Sequence, residues 1–183
     1  MSFTNRIRRL LGALTSRRLG IALGLLLAAS AQALAQAEPL PAPTGPVLLT
    51  VSGNIGVTNS EAGAVFDREM LYALGMTEIS TSTPWTDGVP VFNGVLARTV
   101  LERVAAEGTV VEASALNDYT VSVPIDDFLN YDVLLATEMN GQEMQVSDKG
   151  PIWIVYPRDD QPALQDRRLH DRWVWQLKAL NVQ

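Results

Sequence analysis

The sequence predicts a β-rich α+β domain with two or three short helices. Three observations carry that expectation. From Thr109 onward, short runs rich in β-branched and aromatic residues recur between clusters of turn formers. Two earlier stretches place apolar residues at helical spacing between a start and a stop signal. The dipeptide Asn140-Gly141 separates two extended runs, and both central residues of the favoured hairpin turn need positive φ.

Residues 1–35 precede that domain. They carry Arg6, Arg8, Arg9, Arg17 and Arg18 with no acidic residue, then an apolar run over 19–29, then Ala33-Leu34-Ala35. This is the order of a signal peptide. The apolar run is about half of the roughly 20 residues a membrane-spanning helix needs. Cleavage is expected after Ala35, with Ala33 and Ala37 as alternatives, which makes the protein periplasmic or secreted in a bacterium. The adjacent Arg17 and Arg18 also fit a twin-arginine signal for folded cargo, against the plainer reading of a basic leader for ordinary export.

Residues 36–46 are proline-rich and polar, the composition of a flexible linker. The domain then runs over 47–183, starting with a strand over 47–51 closed by Ser52-Gly53-Asn54. Asp67 is a good N-cap for a helix through Leu74, with Phe66 and Leu71 placed to staple its first turn and Gly75 at its stop. A second helix is expected over 97–106, where Val100, Leu101 and Val104 share a face and Gly108 follows. Strands follow over 109–113, 119–123, 132–139, 152–156 and 173–182. In the last of these, Trp173, Trp175, Leu177 and Ala179 alternate with Val174, Gln176 and Lys178.

Charge and composition exclude several functions. Without the five leader arginines, nine basic residues face twenty acidic ones, a net charge of about −11. That field repels nucleic acid and anionic lipid, so neither is expected as a partner. No segment after the signal is apolar and long enough to enter a membrane. There is no cysteine, hence no disulfide, thiolate ligand or cysteine nucleophile. One histidine, His170, excludes a multi-histidine metal site. It lies among Arg167, Arg168, Asp171 and Arg172, the setting of a solvated loop rather than of a catalytic base. Asp126-Asp127 reads as an N-cap on a helical turn and Asp159-Asp160 as a charged surface turn. Of the four tryptophans, Trp153 and Trp175 lie in strand-like runs and read as core. Trp85 sits in a turn-rich loop, where an aromatic lines a pocket or covers the core edge.

Two blocks of sequence together resemble a known family. Leu134 to Gln142, Asp148 to Pro157 and Arg172 to Leu177 follow the order of an Asn-Gly hairpin, a glycine- and proline-led strand ending in proline, and a basic-Trp strand. Upstream, Pro84-Trp85 and Phe92-Asn93-Gly94-Val95-Leu96 lead into the helix at Ala97. In this order they resemble the molybdopterin-binding domain of the sulfite oxidase family, over about residues 80–182. The chain is also similar to the periplasmic molybdenum subunit that repairs methionine sulfoxide.

The resemblance implies the sulfite oxidase-type α+β fold and a site for molybdopterin. It also implies a cysteine ligand to molybdenum, which this chain lacks; Thr81, Ser82 and Thr83 offer only harder, less acidic hydroxyls. Where such enzymes commonly place an arginine two residues after the strand's first proline, this chain has Trp153, which cannot grip an anion bidentately. Trp85, Lys149, Arg158 and Arg172 are the candidate cofactor-binding residues, against the plain reading of Lys149 and Arg158 as strand-end charges. No catalytic or metal-ligating residue is expected. The expected function is a non-catalytic module binding a small ligand or a periplasmic protein, with no cofactor. The alternative is a molybdopterin-dependent oxidoreductase with a non-cysteine metal ligand.

Overall fold

The structure, a computed structural model, describes residues 38–183. The expected signal peptide therefore lies outside the described residues. Two sheets share one hydrophobic core. The first has the order β2 (Ala64–Phe66), β1 (Leu49–Gly53), β10 (Leu177–Val182), β5 (Val110–Ala115), β6 (Thr120–Pro124). Its β1 and β10 are parallel and the other pairs antiparallel, so the two ends of the domain meet at the sheet's centre. The alternation is plain in β5, where Val111, Ala113 and Ala115 are buried and their neighbours are not.

The second sheet runs β3 (Met76–Ser80), β4 (Val91–Leu96), β7 (Leu134–Met139), β8 (Gln142–Glu143), with β9 (Trp153–Val155) also pairing β7. Leu134, Leu135, Ala136 and Thr137 are all buried, since β7 is covered on both faces. Gly94 lies at a register shift between β4 and β7, where a Cβ would stand 2.2 Å from the Leu135 carbonyl oxygen and 2.6 Å from the Ala136 Cα. Only glycine lets the two strands approach so closely.

Three short α-helices join the strands: α1 (Arg68–Ala73), α2 (Ala97–Arg103) and α3 (Ile125–Asn130). α1 has the expected cap. The Asp67 carboxylate accepts from the Met70 amide at 2.9 Å, Phe66 and Leu71 are buried together, and Gly75 takes φ +100° beyond the end. α2 stops at Arg103, short of the expected Ala106, because Ala105 turns to φ 49°. Two 3-10 turns, over Pro162–Gln165 and Arg167–Arg172, precede the last strand. Among the described residues no helix is long and apolar enough to cross a membrane.

Three further expectations are corrected, and two strands are added. The segment 38–46, read as a flexible linker, is packed on the domain: Leu40 is buried, and the amides of Thr44 and Gly45 donate to Asp67 at 2.7 and 2.8 Å. The last strand starts at Leu177 rather than Trp173, because Gln176 adopts φ 51° and breaks the extended run. Asp127 does not cap α3. Pro124 precedes that helix without a side-chain cap, and Asp127 instead accepts from the Tyr156 hydroxyl at 2.9 Å and from Arg172 at 2.7 Å. Strands β3 and β4 had no strand signal of their own, since β3 is short and polar and β4 runs without a loop into α2.

Candidate functional site

The displaced segment Trp173–Gln176 is the structural key to the site. It is tied to both sheets by backbone hydrogen bonds. The Ile154 amide donates to Val174 O at 2.8 Å and the Leu177 amide to Ile152 O at 2.9 Å, which binds the segment to β9. The Gln176 amide donates to Lys149 O at 2.9 Å, and Gln176 O accepts from the Leu116 amide at 2.8 Å, at the tip of β5. With its ladder bonds made irregularly, the segment turns its tryptophans towards the loop after β3.

That loop presents Trp85. Its backbone amide donates to the Thr83 hydroxyl at 3.1 Å, and the Thr83 and Thr86 hydroxyls bond each other at 2.8 Å, which fixes a turn around the indole. All four tryptophans and the histidine meet there. The Trp85 ring lies 5.5 Å from Trp175 at 89°, 5.8 Å from Trp173 at 57°, 6.3 Å from Trp153 at 64° and 5.5 Å from His170 at 62°. Edge-to-face packing of this kind is favourable beyond the area it buries. Trp153 is fully buried at the base, as its strand position predicts, and its indole N–H donates to Trp173 O at 3.3 Å.

Between these rings opens a cavity of about 240 Å³. Trp85, Trp173, Trp175 and His170 form one side. Ala115 at the end of β5, with Asn117 and Tyr119 of the β5–β6 turn and Asp171, complete the lining. The Tyr119 hydroxyl donates to Asp171 O at 3.1 Å, and the Asn117 side-chain oxygen accepts from the Tyr119 amide at 3.1 Å. Burial, seconded by the Asp171 charge, raises the Tyr119 phenol above its usual pKa. Trp85 is thus both a pocket wall and a core cover. Trp175, read as core, is half-buried and lines the pocket; His170, read as solvated, is half-buried against Trp85. The reason is the 3-10 turn Arg167–Arg172, which turns His170 inward while Arg167 and Arg168 are exposed.

The remaining candidates do not converge on that pocket. Lys149 ion-pairs with Asp148 at 2.8 Å and places its ammonium 5.5 Å from the centre of the Trp153 ring. Arg158 donates to the Ser82 hydroxyl at 2.7 Å and lies 3.6 Å from Asp159. Arg172 pairs with Asp127 at 2.7 Å and lines a separate cavity of about 600 Å³ with Asp166 and Arg168. Neither Lys149 nor Arg158 lines that cavity.

The loop hydroxyls are also engaged. Ser82 donates to Asp159 through its amide and its hydroxyl, both at 2.6 Å, and these bonds hold the Asp159 carboxyl below its ordinary pKa. Thr81 accepts from the Asp159 amide at 3.2 Å. The Asp159 expected in a plain surface turn therefore clamps the end of β3 to the end of β9.

A β-rich α+β domain of this architecture has the fold of the molybdopterin-binding domain of sulfite oxidase-type proteins. The chain belongs to the oxidoreductase molybdopterin binding domain family, whose sequence profile matches residues 68–159. Among solved structures it is similar to the sulfane dehydrogenase SoxCD from Paracoccus pantotrophus, with a TM-score of 0.54 and 18% identity over 73% of this chain and 37% of that one. The chain thus spans well under half the length of that relative. No curated protein sequence matches it.

The family implies molybdopterin and its metal, and the residues present do not fit a metal held as the resemblance implies. The thiolate is missing. The hydroxyls of Thr81, Ser82 and Thr83 are all spent on internal hydrogen bonds. Among the described residues no three of His, Cys, Asp and Glu group to hold a metal. The three cations that would face a phosphate are each neutralised by a carboxylate of this chain.

Proposed function

We propose that this protein is an exported, non-catalytic module of the molybdopterin-binding fold that binds a small ligand in its aromatic pocket, alone or for a periplasmic partner. The observation that carries the reading is the contrast between two groups of residues. Trp85, Trp173, Trp175 and His170 line an open cavity, whereas Lys149, Arg158 and Arg172 are each paired with a carboxylate, Asp148, Asp159 and Asp127. Pockets that recognise small molecules combine apolar walls with a few polar groups, and Asn117, Tyr119, His170 and Asp171 supply those groups. Export rests on the leader: Arg17 and Arg18 precede its apolar run, and Ala33-Leu34-Ala35 closes it.

A second reading is supported by the family match itself: a molybdopterin-dependent oxidoreductase with a non-cysteine ligand to the metal, or with metal-free pterin. One preparation separates the two. The full chain is expressed in a bacterium competent for molybdenum cofactor synthesis and recovered from the periplasm. Its intact mass, its metal by mass spectrometry and its pterin fluorescence after acid oxidation are then measured. The proposal expects a mass that starts at Gln36, no stoichiometric molybdenum and no pterin fluorophore. Stoichiometric molybdenum or pterin overturns it in favour of the oxidoreductase.

A further inference from the structure

The chemistry of the pocket wall narrows the ligand class. We infer that the cavity between Trp85, Trp173, Trp175 and Tyr119 takes a small organic cation, an alkylated or quaternary ammonium ion; the inference rests on the ligand-binding reading of that pocket.

Geometry is the first ground. Trp173 and Trp175 stand at 57° and 89° to Trp85, so the rings form a concave corner rather than a stack. Tyr119 lines the same cavity. A ligand in the cavity meets the accessible parts of Trp85, Trp175 and Tyr119, and aromatic ring faces present negative charge. An alkylated ammonium suits the site because its charge needs no hydrogen-bond donor or acceptor and its methyl groups tolerate an apolar wall.

Charge is the second ground. Among the lining residues Asp171 carries a carboxylate, and there is no lysine or arginine. Arg172, next in sequence, is turned away into its pair with Asp127. His170 is the one lining group able to become positive. The net charge of about −11 after the leader draws cations towards the whole domain. The lining offers an anion no lysine or arginine.

The tryptophan cluster provides a third, independent ground, because it already holds one ammonium. Lys149 places its Nζ 5.5 Å from the centre of the buried Trp153 ring, with Asp148 as counter-ion. The cavity offers the same two ingredients, indole rings and an aspartate, in Trp85, Trp175 and Asp171.

The test uses the full mature protein and two isosteric probes, choline and the neutral alcohol 3,3-dimethylbutan-1-ol, with tetramethylammonium as the minimal cation. Binding is read by calorimetry and by indole fluorescence. The expected result is that choline and tetramethylammonium bind and the neutral isostere binds about tenfold more weakly or worse, the range a desolvated cation–π site supports. Trp175→Leu should abolish choline binding. Asp171→Asn, at an exposed rim position that leaves the core untouched, should weaken choline severalfold and leave the neutral isostere unchanged. Equal affinity for choline and its neutral isostere overturns the inference but leaves a ligand-binding pocket in place. Choline binding that survives Trp175→Leu and Asp171→Asn overturns it too, since the cation then sits elsewhere. No binding of either cation also overturns it, whereas the ligand-binding module itself stands or falls on the molybdenum and pterin measurements.

Discussion

Asp127 shows at the residue scale how a local signal is redirected. Its place after Pro124-Ile125 suits an N-cap, yet the carboxylate turns away to accept from Tyr156 and Arg172. Burial first, and then the negative charge of Asp127, push the Tyr156 phenol well above its ordinary pKa. Replacing Tyr156 with Phe removes one donor while Arg172 still pairs with Asp127, so a loss of about 1 kcal/mol in urea-unfolding stability is expected. Asp127→Ala should cost more, about 2 kcal/mol, because it strands the buried hydroxyl. The reverse order of the two variants would show that the phenol, not the carboxylate, organises this contact. Nothing local in the sequence signals it, as the two partners are 29 and 45 residues from Asp127.

At the scale of elements, legibility followed the range of the interactions. The cap and staple of α1 and the Asn140-Gly141 hairpin, with φ of 53° and 74°, depend on neighbours within a few residues and were readable. β3 was not, because its partner β4 supplies what its own polar sequence lacks. Trp173–Gln176 was misread as strand because its alternation is real, while the backbone is broken by Gln176 and held by Ile154, Lys149 and Leu116. The Gly94 approach makes a sharp test at this scale. Gly94→Ala should destabilise the protein by about 2–3 kcal/mol, since the Leu135 carbonyl and Ala136 Cα are backbone atoms that cannot swing aside. Chemical denaturation of the two proteins checks it, and a loss under about 0.5 kcal/mol would show that β4 and β7 relax freely.

The whole molecule is acidic and depends on its carboxylates remaining charged. The amides of Met70 and Gly45 lower the Asp67 carboxyl, Lys178 lowers Asp118, Ser82 lowers Asp159, and Arg168 lowers Asp166 to about 2. Each folded value lies below the unfolded one of about 3.9. The stability they contribute is therefore full above that pH and lost as pH falls through the folded values. Tyr156 acts at the other end: its raised phenol favours the fold below about pH 10 and loses that contribution as the solution becomes more alkaline. Thermal unfolding followed by circular dichroism should show a plateau between about pH 5 and 10 and a steep fall towards pH 2. A melting temperature that stays flat down to pH 2 would show that these carboxylates gain nothing on folding.

The sequence by itself determined the β-rich α+β class, the family resemblance through the Asn-Gly hairpin and the Gly150-Pro151 strand, and the absence of a cysteine. Each of these is a matter of residue identity or of short-range order along the chain. The tertiary structure decided which side chains share a site. Trp85 lies 68 residues before Trp153 and 85 before His170, and no periodicity links positions that far apart. They meet because β9, β10 and the tip of β5 draw the Trp173–Gln176 segment between the two sheets. The same packing leaves Lys149, Arg158 and Arg172 each beside a carboxylate, of which local sequence reads Asp127 as a helix cap and Asp159 as part of a surface turn.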